Sequence, residues 1–359
     1  MIERIKKFKI PVQKLRINEP IPYTLLDEAD RVMLFAGQVL TEPFLRFLEN
    51  RGVYHVVAEI VENGQEQIAR QDVSQALKEV TLHNLEETMN RLVQDKPVSL
   101  KPVKDSVWEI IREIMNHHEL VVPIAQLKKH DDLTFTHSLN VAIIALLIGR
   151  YLDLSEDEMV TLGLGAMFHD LGKLKIPLEI LAKSDRLTDR EFQTIKLHPL
   201  FAKKLLDEKT DLSEGVKQVV FQHHEKKNGT GYPLGVKYRG IAPLAAIVSV
   251  ADIFDALTSN RPYRQAIPVP EALEYLMGNA GYTLDEKAVR TFIHHLSPFQ
   301  IGDEVLLSSG ERARVVGINH HVLFRPLVRI VNKSEEGERV PVSEIDLSRN
   351  LTLTILSSQ

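Results

Sequence analysis

Five short stretches of this sequence carry the residue types from which metal and phosphate sites are built. They are FTHSLNVA around His137, FHDLGKLKIP with His169 and Asp170 side by side, and KLHPL with His198. QHHEKKNGTGYP supplies His223 and His224, and SVADIFDALTSNRPYR supplies Asp252. Histidine pairs alone decide little, because the 14 histidines also form His117-His118, His294-His295 and His320-His321. His223-His224 differs in its company: apolar periodicity places His137, His169-Asp170, His198, His223-His224 and Asp252 on or at the ends of separate helices. A helical bundle can bring such residues together in its core. Neighbours inside a regular helix diverge by roughly 100°, so His169 and Asp170 are expected at a helix end, where both can point the same way. The expectation is a two-metal site, with Asp170 bridging the ions. His137, His169 and Asp252 complete one half, and His198, His223 and His224 the other. Imidazole and carboxylate without sulfur suit Fe, Mn, Co, Ni or Zn alike. Two such ions about 3.5–4 Å apart activate water and clamp both oxygens of a phosphoryl displacement, so phosphate ester hydrolysis is the natural chemistry. Lys173, Arg261 and Arg264 are the cations available to neutralise phosphate oxygens.

Plainer readings exist for each residue. Taken singly, any of these histidines suits a surface or a satisfied core. Asp255 can cap or pair with Arg261 or Arg264, Lys173 can serve as a charge at a helix C-terminus, and NGTGYP can be a turn. Asp252 is harder to dismiss, because a lone carboxylate in AAIVSVADIFDALTS is costly to bury without a cation.

The elements that must position these residues follow from pattern and punctuation. The expected fold class is mainly α: a helical-bundle catalytic domain with a small N-terminal α+β domain and a small C-terminal β-rich appendage. Residues 1–72 alternate short apolar runs with Pro, Asp and Gly around one helix near TEPFLRFLENRG, and read as a regulatory domain. Residues 73–119 read as a helical linker, with a stripe of Leu77, Val80, Leu82, Leu85, Met89 and Leu92 and a turn at QDKPVSLKPV. Residues 120–297 are helical, with Ser155/Glu158, Thr188/Glu191 and Thr283/Glu286 spaced as capping boxes and Pro243 placed to open a helix. Residues 298–359 return to a strand texture. The balance of 44 basic against 49 acidic side chains, net −5, offers no global field for DNA. The absence of cysteine excludes disulfides and thiolate sites. The N-terminus lacks the pattern of a signal peptide, and no run reaches the roughly 20 apolar residues of a membrane span. A cytoplasmic location, no DNA partner and no membrane insertion are therefore expected.

Together, His137-Ser138, HDLGK, His198-Pro199, HHEKKNGTGYP and DIFDALTSNRPYR resemble the HD-GYP family of metal-dependent phosphohydrolases, over roughly residues 120 to 296. The resemblance implies a helical bundle with a two- or three-metal centre, usually iron or manganese. It also implies hydrolysis of cyclic di-GMP to linear pGpG and on to GMP, by a hydroxide bridging the metals. On this resemblance His137, His169, Asp170, His198, His223, His224 and Asp252 are metal ligands, and Asp170 and Lys173 are catalytic. Lys173, Gly231, Tyr232, Arg261 and Arg264 contact substrate. Members with a third metal carry a glutamate one helical turn before the first histidine; here that position is Leu133, so two divalent ions, Fe or Mn, are expected unless Asp131 or Asp132 substitutes. Alternatives are a catalytically weak cyclic di-GMP receptor, a phosphodiesterase for another cyclic dinucleotide such as cyclic GMP-AMP, and di-iron oxygenase chemistry. The N-terminal domain more faintly resembles the small domains that precede such modules, and a homodimer or signalling partner is expected through it.

Overall fold

The computed structural model describes residues 4–15, 17, 21, 24–26, 32–34, 40, 42–50, 53–62, 73–116, 133–183, 185–259, 265–267, 269–295, 299, 302–319, 325–333 and 339–358. Arg261, Arg264, Asp131 and Asp132, named above, lie outside the described residues.

The N-terminal part is a four-stranded antiparallel sheet with one helix. Strands β1 (Arg4–Pro11), β2 (Thr24–Leu26), β3 (Val32–Leu34) and β4 (His55–Glu62) run in the order β1-β4-β2-β3, and α1 (Glu42–Asn50) lies between β3 and β4 in the chain. Leu25, Leu40, Phe44, Leu48, Val56 and Ala58 form its core, which also takes in Ala76 and Val80. Those two residues sit on α2 (Gln75–Val93), whose other apolar positions, Leu77, Leu85, Met89 and Leu92, face the large helical cluster. One helix thus serves two cores.

This changes the reading of the segment expected as a linker. Helix α3 (Lys101–Asn116), which carries Pro102 in its first turn, buries Val103, Val107, Ile110 and Ile114 completely in the same cluster as the histidine-bearing helices. Its Glu113 accepts hydrogen bonds from the backbone N–H and hydroxyl of Ser74, the cap of α2, at 2.8 and 2.9 Å. The pair is therefore part of the bundle wall.

The bundle continues through α4 (Leu133–Tyr151), α5 (Glu156–Phe168), α6 (Leu178–Leu181), α7 (Asp189–Ile195) and α8 (His198–Lys209). It closes with α9 (Glu214–Gln222), α10 (Pro243–Thr258), α11 (Val269–Asn279) and α12 (Glu286–His295). Helix α4 is buried on nearly all sides from Leu139 to Ile148, as expected of a helix apolar all round. The capping boxes at Ser155/Glu158 and Thr188/Glu191 form with both reciprocal bonds, and Pro243 occupies the first turn of α10. The third box does not form. Thr283 turns back to donate to Asn279 Oδ1 at 2.9 Å, and Asp285 caps α12 by accepting from the Ala288 N–H at 3.0 Å. With Asp285 at the cap, Glu286 becomes the first helical residue, two positions too early to reach back.

The C-terminal part is a five-stranded antiparallel sheet. Strands β5 (Glu304–Leu307), β6 (Arg312–Gly317), β7 (Leu327–Lys333), β8 (Arg339–Asp346) and β9 (Ile355–Ser358) pair in the order β8-β7-β6-β5-β9. Alternate residues Val305, Leu307, Ala313, Val315, Val328 and Ile330 fill one face. Arg325 donates to the carbonyls of Leu347, Asn350 and Leu353, which ties down the segment before β9. Among the described residues, no helix is long and apolar enough to cross a membrane.

Candidate metal centre

The helix ends supply the histidines in a repeated local geometry. His169 caps the C-terminus of α5, His223 caps α9, and His198 opens α8 just after α7. In each, Nδ1 donates to the carbonyl three residues earlier: His169 to Ala166 at 2.7 Å, His198 to Ile195 at 2.8 Å, His223 to Val220 at 2.8 Å. A carbonyl can only accept, so the proton sits on Nδ1 and Nε2 carries a lone pair. Burial, the largest influence, pushes His198 down to about 4 and His223 well below its ordinary value, so both stay neutral at physiological pH. Burial likewise holds His224 at about 3.

These lone pairs meet. His198 Nε2 lies 3.3 Å from His223 Nε2 and 3.4 Å from Asp170 Oδ1, while His169 Nε2 lies 3.3 Å from Asp170 Oδ2. Two acceptors facing each other at 3.3 Å repel unless an electrophile joins them. His169 Nε2 and Asp170 Oδ1 are buried without a hydrogen-bond partner, a costly arrangement for polar atoms. The donor set therefore fits divalent metal. Ligand atoms of Asp170, His198, His223 and His224 fall within 4.8 Å of one another, as do those of His137, His169 and Asp170, and of His169, His223 and Asp252. Asp170 is common to the first two groups.

His137, on α4, is held differently. Its Nδ1 lies 2.6 Å from Asp255 Oδ2, whose other oxygen accepts from Asn140 at 3.1 Å, and its Nε2 faces Asp252 Oδ1 at 3.0 Å. Burial opposes the charge on this imidazole, but the Asp252 and Asp255 carboxylates outweigh it and raise His137 to about 9. Burial also opposes ionisation of Asp170 and Asp252; the nearby imidazoles, with Lys173 beside Asp170, nonetheless hold both well below the usual carboxylate range. Lys173 folds back along the 3-10 turn Leu171–Lys175 to place its ammonium 2.5 Å from Asp170 Oδ2.

The loop after α9 covers one side. Tyr232 lies over His224, ring centres 4.6 Å apart, and its backbone N–H donates to the His224 carbonyl at 3.2 Å. Burial raises its phenol above the ordinary range. Gly231 earns its place by close packing: a Cβ there would stand 2.4 Å from Lys226 N and 2.5 Å from the His224 carbonyl oxygen.

Comparison with known proteins places this arrangement. Residues 87–288 match the model of the HD domain, and residues 304–358 match a KOW domain associated with HD domains. The chain belongs to the HD domain family. It is of the HD-GYP type, with 31% identity over 68% of its length to a cyclic di-GMP phosphodiesterase of Pseudomonas aeruginosa, covering 59% of that protein. A 3'3'-cGAMP-specific phosphodiesterase of Vibrio cholerae is 36% identical over 42% of this chain and 33% of its own length. The chain thus spans less than two thirds of these relatives. A solved HDG"Y"P protein from Bdellovibrio bacteriovorus shares the fold at 18% identity, with a TM-score of 0.53 over 80% of this chain and 98% of that one.

Within this HD-GYP chain the structure gathers His137, His169, Asp170, His198, His223, His224 and Asp252 into one buried cluster, with Lys173 and Tyr232 against it. Leu133 opens α4; its side chain lies outside the described atoms. Sequence reasoning missed three residues. Asp255 binds His137 rather than capping; its signal was the i, i+3 spacing from Asp252, which puts both carboxylates on one face of α10. Glu225 is buried and accepts the backbone N–H groups of Leu234, Gly235 and Val236 at 2.7, 3.2 and 3.1 Å, pinning the loop that carries Tyr232. Gly172 lets the 3-10 turn touch α8, since a Cβ there would lie 1.9 Å from the His198 carbonyl oxygen.

Proposed function

We propose that the protein is a metal-dependent phosphodiesterase of cyclic dinucleotides, with cyclic di-GMP hydrolysed to linear pGpG and on to GMP. The observation that carries this reading is the buried set of imidazole lone pairs and carboxylate oxygens aimed at one another without protons between them. On this reading two divalent ions, Fe or Mn, are held: one by His137, His169 and Asp252, the other by His198, His223 and His224, with Asp170 shared. When bound, such ions lower the pKa of a shared water and hold the attacking and leaving oxygens of an in-line displacement.

The chain's own residues do the rest. The carbonyls of Ala166, Ile195 and Val220 fix the tautomer and direction of His169, His198 and His223. Lys173 offsets the charge of Asp170 and stands beside the reacting phosphate. Tyr232 shapes the pocket wall over His224, and Arg261 and Arg264 neutralise phosphate oxygens. The named relatives act on cyclic di-GMP and on 3'3'-cGAMP; cyclic di-GMP is preferred because the relative bearing that name matches more of this chain. The enzyme works in the cytoplasm, and its N-terminal sheet receives a signalling partner or a second copy.

The test is chromatography of cyclic di-GMP and 3'3'-cGAMP incubated with anaerobically purified protein loaded with Mn²⁺ or Fe²⁺, beside Asp170→Ala. Linear dinucleotide from the wild type, and none from the variant, is expected. Intact substrates with every metal would refute catalysis, and wild-type metal content in Asp170→Ala would refute the shared carboxylate.

A further inference from the structure

A cyclic dinucleotide carries two phosphates and two purines, but the metal cluster addresses one phosphate at a time. The second anion and the bases need their own contacts. Lys173 is engaged by Asp170 at 2.5 Å. At the C-terminus of α7, two residues before His198, stands another cation, Lys196. Its ammonium lies 4.8 Å from the centre of the Phe192 ring and 5.7 Å from that of Tyr232. Ring faces attract a cation and fix its position but leave its charge uncompensated. Lys196 has no carboxylate partner among the described residues, in contrast to Lys183, Lys203, Lys209 and Lys217.

The surroundings suit a nucleotide. Phe192 is 45% exposed although aromatic, and Leu197 and Leu200, in the following stretch of chain, are 41% and 43% exposed. An open ring next to a half-buried, unpaired ammonium offers a stacking face and an anion contact together. Tyr232 links this patch to the cluster, because the same ring covers His224 at 4.6 Å and stands 6.2 Å from His198.

We propose that Lys196 and Phe192 form the subsite for the non-reacting half of the substrate, Lys196 taking its phosphate and Phe192 stacking on its purine. This rests on the phosphodiesterase reading above. It makes α7 a specificity element: a substrate with a single phosphodiester and no second nucleotide gains nothing from it.

The experiment compares wild type, Lys196→Met, Lys196→Arg and Phe192→Leu, each metal-loaded, on cyclic di-GMP and on bis(p-nitrophenyl) phosphate. Lys196→Met keeps the aliphatic stem and loses the charge. It is expected to raise KM for cyclic di-GMP about 10- to 100-fold with kcat changed less than about threefold, and to leave the small substrate unaffected. Lys196→Arg restores most of the loss. Phe192→Leu raises KM for cyclic di-GMP alone. An unchanged KM in Lys196→Met, or equal losses on both substrates, overturns the subsite. If the wild type hydrolyses neither compound, the phosphodiesterase reading fails separately. The comparison then passes to equilibrium binding of fluorescently labelled cyclic di-GMP: a Kd at least about tenfold weaker in Lys196→Met supports the subsite, and an equal Kd overturns it.

Discussion

Gly172→Ala tests whether the cluster depends on the contact between the 3-10 turn and α8. A Cβ at this position would lie 1.9 Å from the His198 carbonyl oxygen and 2.8 Å from Ala202 N. Ordinary contact begins near 3.4 Å, so about 1.5 Å of separation must open, and both partners are backbone. The turn starts beside Asp170 and α8 starts with His198, whose Nε2 is now 3.4 Å from Asp170 Oδ1. The strain therefore falls on two cluster residues at once. Overpacking of this kind costs about 1–3 kcal/mol or more. At about 2–4 °C per kcal/mol for a module of roughly 200 residues, the melting temperature falls by about 2–12 °C. Gly278→Ala is the matched control, since Gly278 is an exposed position of α11 and a Cβ there meets nothing within 4 Å. It should be neutral or stabilising by up to about 1 kcal/mol. The assay is thermal melting of metal-free and metal-loaded protein, with metal content measured by mass spectrometry. Metal loss beyond the destabilisation of the apo protein is expected in Gly172→Ala alone. If it melts with the control and retains full metal, the close approach does not hold the site together.

Asp255→Asn removes the negative charge behind His137 while keeping the shape. Metal affinity should fall about 10- to 100-fold in competition with a chelating dye, and wild-type affinity would refute a positioning role for this carboxylate. His137, raised to about 9, must lose a proton to offer Nε2 to a metal. Metal binding should therefore tighten as pH rises from 6.5 to 9, releasing up to about one proton from this group, which calorimetry in buffers of different ionisation enthalpy can count. The apo protein behaves oppositely: stability contributed by charged His137 is fully present below pH 6.5 and is lost as pH rises through about 9. A flat apo melting temperature over that window would contradict the pairing with Asp252 and Asp255. Glu225→Ala strips the acceptor from three backbone donors, so amide exchange at Leu234, Gly235 and Val236 should accelerate while metal content holds. Unchanged exchange would show that the loop is anchored elsewhere.

Much of the site is legible along the chain because its candidate ligands sit in short, ordered motifs, several of them at helix ends, and helix ends announce themselves within four residues. Ser155/Glu158 and Thr188/Glu191 show the strength of that signal. Thr283/Glu286 shows its limit, since Asp285 offers a competing carboxylate and the local pattern cannot rank the two caps. The tautomers of His169, His198 and His223 are also local, each set by a carbonyl three residues back.

The sequence by itself determined the donor chemistry, the helical class of the central module and the β character of both ends, because residue type and hydrophobic period are properties of short windows. Tertiary structure decided the rest. Asp255 meets His137 across 118 positions of chain, the residues expected as a linker became core, and the lack of room for a Cβ at Gly172 arises only because α8 lies against it. Each depends on which helix crosses which, and that is set by packing over the whole bundle, which no local spacing encodes.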